Sequence, residues 1–417
     1  MIGALAKSSL QTGGMLGLRV ATQAAVLVLL TRLLGPATYG SYVAVASLAV
    51  VLGVLPNLGA GFVMLARRAR QSDGVAQVWR YAWPMSVLLG LLLLAVFLVL
   101  ARLVTSARLP MPVLLAIGAA ELLLTPFTML FSFALQASER VPRSQFVQCL
   151  PLLLRIVAAL ACFGVALDQR LGAYALTQLA ASALGVVLGY YVCRPHVTLD
   201  WRPRLTSPTE LREGASYAAM HLVAANPSEL DKIIAVRIVG AHDAGIYAAT
   251  ARVMSATVMP VTAMLLASLP RMFRHAHTPG RQGHRLIRLV AALAFAWGAT
   301  AGLGLALASP ALPWLFGKSF ETTATLMPWL AGTAPFLSLR LAAGTVLVAQ
   351  GRPAQRIAFE ICGIAILVAA MLALAPVFGE RGIAMALILA ESSMAALGWW
   401  MVARRLRAQT HHPAFLA

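Results

Sequence analysis

Residues 32–42 read RLLGPATYGSY, and residues 237–247 read RIVGAHDAGIY. Arg32, Gly35, Gly40 and Tyr42 return as Arg237, Gly240, Gly245 and Tyr247, an offset of 205 in a chain of 417 residues. A match displaced by almost half the length reads as a duplication, and Pro56 and Pro260 recur one residue off the same register. Each copy lies between long apolar runs, where one helix stops and another restarts. Gly supplies backbone angles closed to other residues, and Pro36 has no amide hydrogen with which to continue a helix. The pattern predicts that Gly35 and Gly40 bracket a turn. It also predicts Tyr39 and Tyr42 at the headgroup level and Arg32 snorkelling to the outer interface.

The runs on either side are long enough to cross a bilayer, whose hydrocarbon core of roughly 30 Å takes about 20 residues of helix. The chain is 60% hydrophobic and 11% charged, with mean hydropathy +0.81; soluble domains run near 25% charged. Apolar stretches fall at 14–33, 41–66, 81–104, 110–136, 146–167, 171–193, 215–238, 244–270, 287–308, 325–350, 357–378 and 383–403. The fold expected is all-α and polytopic, with about twelve transmembrane helices in two pseudo-symmetric six-helix bundles. Residues 1–205 form the first bundle and 206–417 the second, with a short tail. An even number of spans per half makes the repeats parallel. The first long run begins near Gly13 with no small-residue cleavage site behind it, so no cleaved signal peptide is expected.

A net charge of +19 and pI near 11.2 would suit a nucleic-acid binder, but the distribution excludes it. The joints on one side, from Arg67 to Arg80, at Arg140/Arg143, Arg194–Arg212, Arg271–Arg288, Arg352/Arg356 and in the tail, hold 21 of the 33 basic residues with Lys7 included. The opposite joints hold five: Arg102, Arg108, Arg170, Lys318 and Arg381. Such a bias places both termini in the cytoplasm and sets basic residues against anionic membrane lipids. Cys149, Cys162, Cys193 and Cys362 stand singly in apolar runs, a packing pattern with no metal or redox spacing. Gly317-Lys318-Ser319 ends like a phosphate loop, but Leu312 stands where its first glycine belongs. His275 and His277 have no Cys or carboxylate beside them. No catalytic constellation, metal site or cofactor motif is present.

Three stretches carry a family resemblance: RLLGPATYGSY after the first span, ELDKIIAVRIVGAHDAGIYAATARV (229–253) opening the second half, and PWLFGKSFETTATLMPWLAG (313–332) before the tenth span. In that order and spacing the chain resembles the polysaccharide-transporter branch of the multidrug/oligosaccharidyl-lipid/polysaccharide flippase superfamily, whose best-known members are the Wzx-type O-antigen flippases. The resemblance covers essentially the whole chain. It implies bundles facing each other across a central cavity and alternating access for an undecaprenyl-diphosphate-linked oligosaccharide (an O-antigen, capsule or exopolysaccharide unit) at the bacterial inner membrane. Glycan polymerase and chain-length machinery are the partners it implies. Two other classes stay open. A cation-coupled antiporter of the same superfamily would favour acids in its cavity. A lipid-carrier-dependent glycosyltransferase or polymerase would carry a large outer loop, whereas here the longest outer joint is about 309–324.

Ionisable groups inside spans are expensive against lipid, so they face protein or an aqueous cavity. The bases are Arg19, Arg155, Lys232, Arg252 and Arg340; the acids are Glu121, Glu229, Asp231, Glu360 and Glu391. Arg155 and Arg340 lie roughly 14–15 Å along their helices from the cytoplasmic ends, near mid-membrane. The five bases suit an anionic diphosphate headgroup, which needs fixed positive charge in place of its hydration. Alternatively each base pairs with a carboxylate and locks helices together, and Arg19 snorkels. Glu121, Glu229, Asp231 and Glu391 are the candidates for ion coupling. Asn226-Pro227 interrupts the seventh span just before Glu229, Asp231 and Lys232, which suggests a broken-helix site. Pro56, Pro126, Pro260, Pro328 and Pro335 read as plain kinks.

Overall fold

The structure, a computed structural model, describes residues 2–68, 74–104, 109–225, 227–276 and 281–411. They are helical throughout: α1 (Ile2–Gly53), α2 (Ala60–Arg68), α3 (Gly74–Val104), α4 (Met111–Ala119), α5 (Thr125–Ala137), α6 (Val141–Ala161), α7 (Arg170–Cys193) and α8 (Pro208–Ala225) come first. They are followed by α9 (Pro227–Thr257), α10 (Met259–Ala276), α11 (Arg281–Ala308), α12 (Leu312–Phe316), α13 (Thr323–Ala331), α14 (Ala334–Ala349), α15 (Pro353–Phe378) and α16 (Glu380–His411). Asn226, between α8 and α9, lies outside the described residues, as does the loop at 277–280 that contains His277. Packing divides the chain into two compact units, Met1–Arg237 and Ile238–Ala417; the hydropathy pattern divides it at 205/206.

Among the described residues nine helices are long and apolar enough to cross a membrane, or ten if the bent pair α13/α14 is one span. The count falls short of twelve for a physical reason. Two of the nine, Gly17–Gly53 and Glu229–Leu265, are 37 residues long, and in each of them two helical segments join across a kink at the repeated turn. The kinks lie at Gly35, with φ 69° and ψ 170°, in α1 and at Gly240, with φ 83° and ψ 169°, in α9. That region is essentially closed to side chains with a Cβ, and both copies occupy it with nearly the same ψ. Gly40 and Gly245 are ordinary helical residues, so the turn has one glycine break, not a bracket of two.

The tyrosines of both copies pack inside the protein. Tyr39, Tyr42 and Tyr247 are buried at 0%, 4% and 0% exposure. The Tyr42 hydroxyl donates to Gln178 Oε1 at 2.9 Å. Arg32 is exposed. Pro56 also does more than kink its helix: α1 ends at Gly53 and α2 begins at Ala60, with Leu58 at φ 36° between them. Asn57 bridges the gap, donating from Nδ2 to the Pro126 carbonyl at 3.0 Å and accepting from Ser86 Oγ at 2.8 Å.

In the first unit α6 packs between α1 and α7, α5 lies against α6 and α7, and α2 joins α3, α5 and α8. In the second, α15 pairs along α16, and α14 fits among α10, α11 and α16. Lipid is as apolar as Leu, so helices associate through close backbone approach rather than water exclusion. A Cβ at Gly298 or Gly302 of α11 would lie 2.7 Å from the carbonyl oxygen of Ala334 or Ala331.

The segment between α7 and α8 is strapped to the first unit. Trp79 stacks on Phe131 with ring centroids 5.2 Å apart, and Trp201 meets Trp79 edge-on at 5.2 Å. Ser207 and Glu210 form a capping box at the start of α8: Ser207 N–H donates to Glu210 Oε2 at 3.0 Å, and Glu210 N–H to Ser207 Oγ at 3.3 Å. Arg204 and Arg67 close on the same carboxylate at 2.6 and 2.8 Å. Burial acts to raise the Glu210 pKa, but the Ser207 amide, Arg204 and Arg67 outweigh it and hold the carboxyl at about 2.

Candidate functional site

The chain from Met111 to Ala137 would be one α-helix but for Pro126, which has no N–H and whose ring crowds the carbonyl one turn back. The ladder slips by one residue there, and Ala120–Leu124 form a π turn in which the Thr125 N–H donates to Ala120 O. Such turns recur at functional sites because the inserted residue re-aims its side chain. Here that side chain is Glu121.

Arg155 Nη2 of α6 donates to Glu121 Oε1 at 2.6 Å. Gln178 Nε2 of α7 donates to the same oxygen at 3.3 Å, and Thr125 Oγ1 to Oε2 at 3.2 Å. Gln178 Oε1 in turn accepts from Tyr42, whose ring meets Tyr174 edge-on at 5.6 Å. One polar chain, Tyr42–Gln178–Glu121–Arg155, therefore ties together α1, the π turn, α6 and α7. The Arg155 and Glu121 side chains are 16% and 9% exposed.

The second unit holds a comparable cluster. Arg340 Nε of α14 donates to Glu391 Oε2 of α16 at 2.7 Å, and its Nη1 lies 3.6 Å from Glu360 Oε1 of α15. Arg356, one turn before Glu360, reaches the same Oε1 from Nε at 3.1 Å. Arg340, Glu360 and Glu391 are no more than 6% exposed, and Arg356 is 23% exposed. Two bases against two acids make the cluster formally neutral. Arg356 also lines a cleft of about 210 Å³ with Thr262, Leu265, Leu341 and Thr345.

The remaining predicted residues are spread out. Lys232 Nζ lies 3.3 Å from Asp231 and 3.9 Å from Glu229, all on α9, and Ser47 Oγ of α1 donates to Glu229 at 2.5 Å. Arg19 donates to Gln148 of α6 at 2.9 Å, and Gln148 passes the chain to Ser132 at 2.6 Å. The Arg19 guanidinium is therefore engaged within the protein. Arg252 is half-buried on α9 beyond the Gly240 break. Among the described residues no group of three or more His, Cys, Asp or Glu could hold a metal ion.

Sequence reasoning passed over three members of these clusters. Gln178 is a fully buried amide in an apolar helix, which is itself a signal that a partner is near. Arg356 was assigned to a solvated joint, although its spacing of four from Glu360 already pairs them. Tyr42 reads from the sequence as an interfacial ring, with no sign of the bond its hydroxyl makes to Gln178.

The sequence profile of a family described as "Polysaccharide biosynthesis protein" matches residues 13–275. The backbone is similar to that of a multidrug resistance MATE family transporter of the MOP superfamily in its inward-facing conformation, with TM-score 0.79, 14% identity and coverage of 95% of this chain and 96% of that one. A multidrug resistance MATE family transporter in the outward-facing conformation gives TM-score 0.67 at 15% identity over 98% and 96%. A MOP superfamily transporter from Pyrococcus furiosus, described as having a binding pocket of reversed polarity, gives 0.66 at 15% identity over 98% and 96%. At these identities the similarity is one of fold. No curated protein matches the chain.

Proposed function

The chain belongs to the polysaccharide biosynthesis protein family, and we propose that it is a flippase that moves an undecaprenyl-diphosphate-linked oligosaccharide across the bacterial inner membrane by alternating access. In this reading about twelve spans form two six-helix bundles around a central cavity, with both termini in the cytoplasm. The observation that carries the proposal is an arginine paired with a carboxylate inside each unit, Arg155 against Glu121 and Arg340 against Glu391, in a chain with a transporter-type fold.

The chemistry follows from the pairing. A buried guanidinium held by a carboxylate is neutralised while no substrate is present, which keeps the cost of an uncompensated charge low. A diphosphate, like a carboxylate, offers a guanidinium a pair of acceptor oxygens, and it carries more charge. Substrate therefore competes with Glu121 or Glu391 for its arginine, and protonation of the displaced carboxylate couples transport to a proton. Lys232, Arg252 and Arg19 supply further positive charge along the route, and Asp231 and Glu229 are the other coupling candidates.

Vesicles containing the purified chain and fluorescent lipid-linked oligosaccharide test the reading. Wild type should expose labelled sugar to an impermeant quencher, and Arg155→Ala and Arg340→Ala should not, although both variants insert. Transport of an organic cation with no movement of lipid-linked sugar would favour the antiporter. Normal flipping by both variants would remove the arginines from the mechanism.

A further inference from the structure

The outward face of α7 carries Leu184, Val187 and Tyr191, at 46%, 49% and 51% exposure. Their spacing sets them in one stripe along the helix, and the stripe ends at Arg194. The Arg194 guanidinium carbon stands 4.5 Å above the Tyr191 ring centroid. Beyond it the chain turns tightly, with His196 N–H donating to the Cys193 carbonyl at 3.0 Å. Across from this turn Arg143, in the first turn of α6, donates from Nη1 to His196 Nε2. Arg140 sits three residues earlier. All three arginines are exposed.

None of the three makes an ion pair among the described residues, while Arg67, Arg80 and Arg204 at the same end of the unit all do. The nearby acids do not compensate them. Glu139 is exposed, in a left-handed turn at φ 60°. Asp200 is held by Arg80 at 3.6 Å and accepts the Arg202 N–H at 3.0 Å. His196 adds no negative charge. Burial, then Arg143 and Arg140, push its pKa below the usual histidine value, so it accepts from Arg143 as a neutral ring.

We propose that Arg140, Arg143 and Arg194 form a binding site for an anionic phospholipid of the surrounding membrane. Its phosphate lies between Arg143 and Arg194, and an acyl chain runs along Tyr191, Val187 and Leu184. Three uncompensated cations at the end of an apolar stripe match a lipid that carries charge at one end and hydrocarbon at the other. Guanidinium groups suit a phosphate through paired donors, and stacking on Tyr191 fixes one of them in place. The site is separate from the residues proposed for transport.

The full chain, extracted in mild detergent and stripped of lipid, is titrated with phosphatidylglycerol, phosphatidylcholine and polyprenyl diphosphate. Tryptophan quenching by brominated lipid gives the readout. Wild type should prefer phosphatidylglycerol to phosphatidylcholine. R143A/R194A should lose about thirtyfold in affinity, from about 1 kcal/mol per basic contact. R202A should bind like wild type, and R143K/R194K should retain part of the preference. If R143A/R194A does not fold, R143Q decides, with an expected loss of about fivefold on the same basis. Equal phosphatidylglycerol affinity in wild type and the folded variants overturns the proposal. So does a preference for polyprenyl diphosphate that R143A/R194A abolishes, which would make the patch a substrate contact.

Discussion

Replacing Arg155 by Met leaves the Glu121 carboxylate in its place without its cation. The acid keeps hydrogen bonds of 3.3 Å from Gln178 and 3.2 Å from Thr125 but loses the 2.6 Å charged contact. Breaking a buried pair by removing one partner costs about 3–5 kcal/mol. With Arg155 16% exposed and two neutral donors remaining, the lower end applies. At roughly 2–4 °C per kcal/mol for a unit of this size, the melting midpoint should fall by on the order of 10 °C. Removing both charges together reverses the loss, because a buried pair exchanged for neutral groups of similar volume is often neutral or stabilising. E121Q/R155M should therefore melt within a few degrees of wild type, while remaining unable to transport if Arg155 holds the substrate. The assay is a double-mutant cycle on the purified full chain, followed by size-exclusion survival after heating. Effects of the two single variants that add to within about 0.5 kcal/mol in the double variant would refute the pairing. A double variant that melts like wild type and still flips substrate would refute the role of the arginine in transport.

The Glu210 latch predicts an acid limb. Its folded pKa of about 2 lies below the ordinary value of 4.5, so its contribution is complete above about 4.5 and is lost as pH falls through about 2. E210Q should melt lower than wild type at pH 7, and the two melting curves should converge toward pH 2. Parallel curves would assign the latch no charge. For topology, single cysteines at Thr198 and Asp168 in a background free of the four native cysteines place the two faces. With cytoplasmic termini, an impermeant thiol reagent added to whole cells should label position 168 and spare 198, and the reverse pattern would invert the chain.

How much of this could be read in advance varies with the physics of each element. The apolar runs reveal a polytopic helical chain because the bilayer imposes length and polarity on every span. The repeat at 32–42 and 237–247 is legible because a backbone angle closed to other residues forces glycine into both copies. Legibility ends where packing decides. Nothing local in RLLGPATYGSY says which side chains meet beyond Gly35, such as the Gln178 amide that accepts from the Tyr42 hydroxyl. Pro56 and Pro126 look alike in sequence. One ends a helix and the other shifts its ladder by a residue, and the outcome depends on Asn57, which links the two sites. The buried charges were visible as anomalies in apolar runs, but the pairing of Arg155 with Glu121 and Arg340 with Glu391 joins residues far apart in the chain. Only the short pair Arg356/Glu360 lay within reach of spacing rules.

The two glycine breaks also carry an imprint that can be sought without any structure. At Gly35 and Gly240 a Cβ would meet nothing within 4 Å, whereas at Gly61 it would strike the Phe133 ring at 2.2 Å and at Gly363 the Met394 side chain at 2.0 Å. Saturation mutagenesis should separate the two kinds by the shape of the response. At Gly61 and Gly363 the penalty climbs with side-chain volume, because each added atom displaces a neighbour. At Gly35 and Gly240 it is a step: alanine already incurs the conformational cost of about 1–3 kcal/mol, and tryptophan adds little to it. Two flat profiles at the same offset would show the repeat in fitness data alone, as a pair of positions where size is irrelevant and the absence of a Cβ is everything.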